Sequence, residues 1–451
     1  MRVVIIGGSH AGIAAARHLK KINPNMEVLI LERSNVLGYI GSSLNLYLEG
    51  TIADLDEAKT ATVSQLMSEN INVFIDTKAL DIDTEKKEVV ALTKIDQEQT
   101  KDYFSYDYLI LAMGSSQYQT GFSLQSDREI TNYKTLEQAR QAVDTLNKVN
   151  KIAIIGAGLI GFELVETLSK LKKEIYLIDR MDNVLFRYFD EEITQKLLTK
   201  LPGNVHIILN SNVKEVQLDE DESVSGIILT NGQTLSCDAV VFAINPRPNV
   251  SLVEDNLAVN MDGTIRTNEY LQTSDPFIYA VGDLVSINFN ETASSIYVPL
   301  VTNAYRSAMI AASNILLAEK IAFPKVQRTI VTELFGSYFA SAGVNEEEAP
   351  YYGFKIASLT KTYTKQHLLA ENDTFELTLK LVFDVKSKQI LGGQLMTNQR
   401  EQVEMINTLS SLITMQANLN QLSTMDFYFN PKLSLPLHFL NDLAMEALIK
   451  Q

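Results

Sequence analysis

Three observations predict an α/β fold with two similar units. A strand, a glycine loop, a helix, a second strand and a strand-end acid follow one another from Val3. The same order recurs from Lys151, and the longest apolar runs, such as Ile152 to Ile155 and Ala239 to Ile244, are strand-length. A chain of 451 residues exceeds what one hydrophobic core usually serves, so two or three domains are expected; with 46% hydrophobic and 21% charged residues it reads as globular.

In the first unit Val3 to Ile6 is the strand and Gly7-Gly8-Ser9-His10-Ala11-Gly12 the loop, a G-x-G-x-x-G pattern with Ser9 at the middle glycine. An alanine-rich helix from Ile13 to Lys20 follows, and Glu27 to Leu31 returns as a strand ending at Glu32. Free N–H groups and the helix dipole at such an N-terminus can hold a pyrophosphate. Glu32, 25 residues after Gly7, stands where an acid accepts hydrogen bonds from a ribose 2′-OH. These features together make a Rossmann-like dinucleotide-binding unit.

The second unit is the cleaner match. Lys151 to Ile155 is its strand, Gly156-Ala157-Gly158-Leu159-Ile160-Gly161 its loop, Phe162 to Lys170 its helix and Glu174 to Ile178 its return strand, with Asp179 lying 23 residues after Gly156. An aspartate there favours a free 2′-OH and repels a 2′-phosphate, so NAD is expected over NADP, a preference that the adjacent Arg180 weakens. Two such units call for two dinucleotides, or for one and a relic; FAD in one and NADH in the other would set a hydride donor against a redox-active ring. A third segment supports FAD in the first site: Thr273 to Asp283 reads as a turn, a short apolar strand and a strand-end Gly282-Asp283, where the glycine admits a ligand and the aspartate can bond a polyol such as ribityl.

Residues 38 to 47, GYIGSSLNLY, place Ser42 and Ser43 at an expected helix start, where a serine oxygen can cap a first-turn N–H. The balance of 39 Lys and Arg against 55 Asp and Glu gives −16 with no basic stripe, which argues against nucleic acid or an anionic membrane as partner. No run approaches the roughly 20 apolar residues of a membrane span. The opening MRVVIIGG starts a strand without a secretory leader, so the cytoplasm is the expected location. One cysteine, Cys237, precludes an intrachain disulfide, and five histidines (His10, His18, His206, His367, His438) show no ligand spacing, so no metal is expected.

Taken together, the motifs resemble the two-dinucleotide flavoprotein reductases, the pyridine nucleotide-disulfide oxidoreductases, and within them NADH oxidases, NADH peroxidases and coenzyme A disulfide reductases. The likeness runs from Gly7–Gly12 through Leu111-Ala112-Met113-Gly114, Gly156–Glu163, Asp179, Tyr188, Arg247-Pro248-Asn249, Gly282-Asp283 and Pro299–Arg306 to Phe427–Pro431. It implies a FAD domain over residues 1–115 and 246–320, an NAD domain over 116–245, and a C-terminal α+β dimerisation domain over 321–451, hence a homodimer. The sequence agrees in outline: strands are expected at Phe375 to Phe383 and Gln389 to Met396, and helices from Gln402 to Asn418 and from Leu437 onward.

The resemblance also implies which residues bind. FAD would lie on Gly7, Ser9, His10, Ala11, Gly12, Glu32, Arg33, Ser42, Ala112, Gly114, Gly282, Asp283, Pro299, Leu300 and Thr302. NAD would lie on Gly156, Gly158, Leu159, Ile160, Gly161, Glu163, Asp179, Tyr188 and Asn245, and Phe429 would approach the partner subunit's flavin. In relatives the turn at residues 41–43 carries a redox cysteine, typically in Ser-Cys-Gly; here Ser42 occupies its place, and the changes at Gly41 and Ser43 favour natural divergence over an engineered exchange. A serine cannot form the sulfenic acid or mixed disulfide that such chemistry needs, and Cys237 is expected to pack as a small apolar side chain. Asn430 stands before Pro431 where disulfide reductases carry a histidine. Leu159 replaces a tyrosine that covers the flavin, and Asn245 replaces a glycine that admits NADH.

Hydride transfer from NADH to FAD remains. Glu163 is expected to orient nicotinamide or flavin, the alternative being a surface acid favoured by the helix dipole; His10 could stabilise charge or move a proton. The sequence leaves three readings: an NADH oxidase releasing hydrogen peroxide, an NADH-dependent reductase of a diffusible small acceptor (a quinone, free flavin or small redox protein), and a FAD- and NAD-binding dimer that has lost its chemistry. The first is preferred, with His10, Ser42 and Glu163 as candidate catalytic residues and neither peroxidase nor disulfide reductase activity.

Overall fold

The computed structural model describes residues 1–95, 98–117, 129–244, 246–290, 292, 294–369 and 374–450. Its first sheet is parallel, in the order Ile278–Ala280, Tyr108–Leu111, Arg2–Ile6, Glu27–Leu31, Asn72–Phe74. Val3, Val4 and Ile5 are fully buried, as expected of a central strand covered on both faces. The first helix begins three residues earlier than the sequence suggests and spans His10–Ile22. It lies against the helix Val301–Leu316, and both bury alanines, Ala11, Ala15 and Ala16 on one and Ala304, Ala308 and Ala311 on the other. Small side chains of this kind set the lower limit of helix separation.

The second sheet repeats the design, in the order Val205–Ile208, Glu174–Ile178, Lys151–Ile155, Ala239–Phe242, Ile130–Thr131, all parallel. Its loop helix spans Leu159–Lys170. A short antiparallel ribbon, Ser115–Gln117 with Pro246–Pro248, stands where the chain passes from one unit to the other and back. Two antiparallel additions went unmarked by the glycine-loop pattern: Thr77–Asp83, Glu88–Ile95 and Glu98–Ser105 as one sheet, and Val213–Leu218, Val224–Leu229 and Thr234–Leu235 as another.

The C-terminal sheet is antiparallel, in the order Ile330–Leu334, Ser337–Gly343, Ile390–Thr397, Leu377–Asp384, Ile356–Tyr363. Ile406, Leu409 and Ile413 of one helix and Leu440, Leu443 and Ala444 of another share its core cluster. The helix expected from Gln402 to Asn418 is broken into a 3-10 turn at Arg400–Glu404 and an α-helix at Met405–Thr414. Gln416 sits at φ 57°, a left-handed residue that ends the helix, and the Asn418 side chain then accepts from Gln421 N to cap Leu419–Ser423. The α/β class with a C-terminal α+β unit stands as the sequence predicts.

A buried ion cluster joins the second unit to the C-terminal sheet. Lys380, 0% exposed, lies 3.0 Å from Asp190 Oδ2 and 2.8 Å from Glu192 Oε2, and it also pairs with Glu346. Gln394 Nε2 and Glu346 N donate to Asp190 at 2.7 and 2.9 Å. A buried cation needs this degree of pairing to offset its lost hydration.

Candidate functional site

The two glycine loops have the same geometry because their backbones face the same steric demand. Gly7 adopts φ 110°, and a Cβ there would lie 2.3 Å from Ala112 O; Gly156 adopts φ 111°, and its Cβ would lie 2.8 Å from Ala243 O. The last glycines are forced by helix-on-strand packing, since a Cβ on Gly12 or Gly161 would fall 1.9 or 2.0 Å from the carbonyl oxygen of Gly7 or Gly156. The middle position is different. Around Gly158 nothing lies within 4 Å of an added Cβ, and its counterpart Ser9 has the ordinary φ of −106°, so a serine is tolerated there.

Each strand-end acid supports its own loop. Gly8 N donates to Glu32 Oε2 at 2.7 Å, and Ser34 N and Oγ donate to Oε1 at 2.9 and 2.8 Å. Ala157 N donates to Asp179 Oδ2 at 2.6 Å and Met181 N to Oδ1 at 2.9 Å. A carboxylate offers about four acceptor sites, so each acid keeps capacity for a ribose hydroxyl. Neither following helix has a side-chain cap or an acid in its first turn, which leaves its N–H groups and dipole for a diphosphate.

Around the first loop further elements converge. Gly282 adopts φ 65°, and a Cβ there would meet Ala11 Cβ at 3.2 Å and Ala304 Cβ at 3.5 Å. The close approach that this glycine permits is thus that of the two alanine-bearing helices, which fixes Asp283 beside the loop. Pro299 and Leu300 lead into the helix that begins at Val301, whose N-cap Leu300 supplies no side-chain bond, and Thr302 is exposed on its first turn. Gly114 adopts φ 64° and accepts from Asn249 N at 2.9 Å; Arg33 is exposed.

The serine turn does not work as a helix cap. The helix spans Ser43–Leu48 with Ser42 as N-cap, but Ser42 is in the αR region and makes no capping bond, so the capping reading fails on geometry. Ser42 is exposed, whereas Ser43 Oγ and the neighbouring Tyr39 hydroxyl are buried without a hydrogen-bond partner. His10 Nδ1 is a third such atom. Burial lowers the His10 pKa, Asp283 opposes that and Lys134 reinforces it, so the ring is neutral near pH 7. Orphaned buried polar atoms, open helix N-termini and glycine-only contacts fit a polar dinucleotide at this place.

Glu163 is not the surface acid of the alternative reading. It is half-buried, and its Oε1 accepts from Thr332 Oγ1 of the C-terminal sheet at 2.9 Å. Burial raises its pKa, the Thr332 bond opposes the rise, and Glu166 and Glu49 add to it. Leu159 is half-buried at the helix start and Ile160 is exposed. Tyr188 is half-buried with the Arg328 guanidinium 5.5 Å from its ring centre, and its segment is tied to the second loop by Leu185 N donating to Ala157 O at 2.8 Å. Asn245 lies outside the described residues.

The sulfur and histidine expectations resolve simply. Cys237 is fully buried in the second unit's core, and burial pushes its thiol up to about 12. Asn430 is exposed, accepting from Lys432 N at 2.9 Å. His438 stacks on Phe427 at 4.1 Å, accepts from Leu440 N at 3.2 Å, and is lowered to about 4 by burial, so it caps a helix as a neutral ring. Phe429 is 50% exposed. Among the described residues no group of three or more His, Cys, Asp or Glu could hold a metal ion, and no helix is long and apolar enough to cross a membrane.

Sequence reasoning missed Lys134, Ser115 and Thr332. Lys134 reaches Asp283 across 149 positions of sequence, and no spacing rule announces such a contact.

Comparison with known proteins follows the same lines. Residues 1–308 match the family model for pyridine nucleotide-disulphide oxidoreductases, and residues 327–438 match the dimerisation domain of that family. The chain is 30% identical over 452 residues to an NADH oxidase of Lactococcus lactis and 29% identical over 450 residues to one of Enterococcus faecalis, covering 99% of this chain and at least 99% of each relative. A water-forming NADH oxidase from Lactobacillus brevis, solved with NADH bound, superposes with a TM-score of 0.93 at 26% identity, covering 100% of this chain and 98% of that one. The chain therefore belongs to the pyridine nucleotide-disulphide oxidoreductases, a family of FAD-dependent enzymes.

Proposed function

We propose that this protein is an NADH oxidase with FAD on the first loop and NADH on the second, and that it releases hydrogen peroxide. In balance, NADH, a proton and O₂ give NAD⁺ and H₂O₂. FAD, when bound, supplies the ring that accepts hydride and gives up two electrons. The chain's own residues bind and orient. The loop N–H groups would take the pyrophosphates, Glu32 and Asp179 the ribose hydroxyls and Asp283 the ribityl chain, while Glu163, held by Thr332, and the aliphatic Leu159 would meet the nicotinamide end.

The observation that carries this reading is the turn without sulfur. Ser42 stands where the family resemblance places a thiol, and the chain's one cysteine is buried in another unit with its thiol kept protonated. Without a thiolate, reduction of peroxide onward to water lacks its nucleophile. The domain division expected from sequence is supported by the ribbon at residues 115–117 and 246–248, and the matched dimerisation domain supports a homodimer, in which the half-exposed Phe429 would be free to meet the second subunit.

The test is stoichiometric. Purified protein is reduced with NADH without air, the flavin absorbance is followed, and O₂ is then admitted while peroxide is titrated. About one peroxide per NADH is expected, whereas water as product overturns the reading. Fast bleaching with slow reoxidation would replace it with a reductase of another small acceptor, and no bleaching with a binding protein.

A further inference from the structure

Lys134 belongs to the connection between Ile130–Thr131 and the helix Leu136–Lys148, in the second unit. Its side chain leaves that unit. Nζ donates to Ser115 Oγ and lies 3.2 Å from Asp283 Oδ2, while Ser115 Oγ donates to the same aspartate oxygen at 2.5 Å. The Lys134 and Asp283 side chains are 30% and 20% exposed, so the pair is shielded. The backbone of Lys134 also backs the serine turn, its carbonyl oxygen lying 3.7 Å from a Cβ placed on Gly41. One residue thus lies beside both the turn and the acid proposed for the ribityl chain.

A flavin reduced by hydride gains negative charge, and a carboxylate beside it opposes that gain in a medium of low dielectric. Asp283 is useful as an acceptor for polyol hydroxyls and harmful as a charge. His10, neutral, supplies no compensation. We propose that Lys134 is a positioning residue that sets the flavin's reduction potential by cancelling the charge of Asp283 across the junction of the two units. Burial pulls the Lys134 ammonium below the ordinary lysine value, and Asp283 holds it back up, so the cation depends on that partner.

The inference rests on the proposed place of FAD, and the experiment separates the two. The holoenzyme and its Lys134→Met, Lys134→Arg, Asp283→Asn and doubly substituted Lys134→Met/Asp283→Asn forms are compared for FAD content and for two-electron midpoint potential, measured against reference dyes. Lys134→Met is expected to disfavour reduction about tenfold, a fall of about 30 mV. Lys134→Arg keeps the wild-type value, Asp283→Asn moves it about tenfold the other way, and the double form returns towards wild type. Unchanged potentials in flavin-loaded variants would make Lys134 a mere strut and overturn the inference alone. Should Lys134→Met not retain FAD, Lys134→Gln, which keeps a polar side chain beside Ser115 and Asp283 without the charge, decides by the same criterion. Wild-type protein that holds no FAD overturns this inference and the proposed function together.

Discussion

Truncating Asp179 to alanine tests the second loop most directly. The carboxylate accepts from Ala157 N at 2.6 Å and Met181 N at 2.9 Å, which leaves capacity for the ribose 2′-OH. Losing a hydrogen bond to a charged group costs about 1.5–3 kcal/mol, or roughly ten- to hundredfold in NADH affinity. For NADPH the same change removes repulsion of the 2′-phosphate, screened at this half-exposed position to about 1 kcal/mol. Arg180, exposed next in the chain, is then placed to meet the phosphate. The preference for NADH over NADPH should shift by on the order of a hundredfold. The assay is competition by 5′-AMP and 2′,5′-ADP, followed by kcat/KM for both reduced nucleotides. Because Asp179 also ties the loop, a general loosening would weaken both ligands equally, and equal losses would refute the recognition argument and leave Asp179 as a strut.

Three further outcomes are expected. Ser42→Cys restores a thiol at the turn and should lower the peroxide yield below one per NADH; an unchanged yield would show that the turn does not face the flavin. Cys237→Ser should leave turnover intact while costing about 1–3 kcal/mol in a denaturant titration, because a hydroxyl is buried where a thiol packs. Glu347 is raised to about 7 by burial, then by Asp190, with Asp182 and Glu191 adding to it and the Asn183 bond opposing. The unfolded chain loses that proton near the usual glutamate value, so folding stability falls as pH rises from there through about 7. Glu347→Gln should therefore melt a few degrees higher than wild type at pH 8 and no higher at pH 4; equal melting at both would refute the assignment.

The glycine loops were legible because much of what they require is local. Gly12 and Gly161 are dictated by contacts within a strand-loop-helix unit, and Glu32 and Asp179 by the length of that unit, whereas Gly7 and Gly156 also answer to the carbonyls of Ala112 and Ala243, just past the ends of neighbouring strands. The serine turn was legible only as a departure from a pattern. That Ser42 is exposed, that Ser43 is buried without a partner and that neither caps the helix follow from how the turn packs. The early end of the helix expected from Gln402 was not legible because its left-handed residue is an exposed glutamine, Gln416, with no glycine to signal it, and the turn is closed by Ala417 N donating to Leu412 O at 2.9 Å.

By itself the sequence determined the α/β class, the two glycine loops with their acids and the absence of sulfur from the turn at residues 41–43, since periodicity, steric demand and atom type are properties of short segments. Only the tertiary structure decided the partners of isolated charges. Lys134 meets Asp283 149 positions away, Lys380 meets Glu192 188 positions away, and Glu163 meets Thr332 169 positions away. Such pairs are fixed when separate units dock and a buried charge must find its counterpart, a long-range condition that leaves no period in the chain.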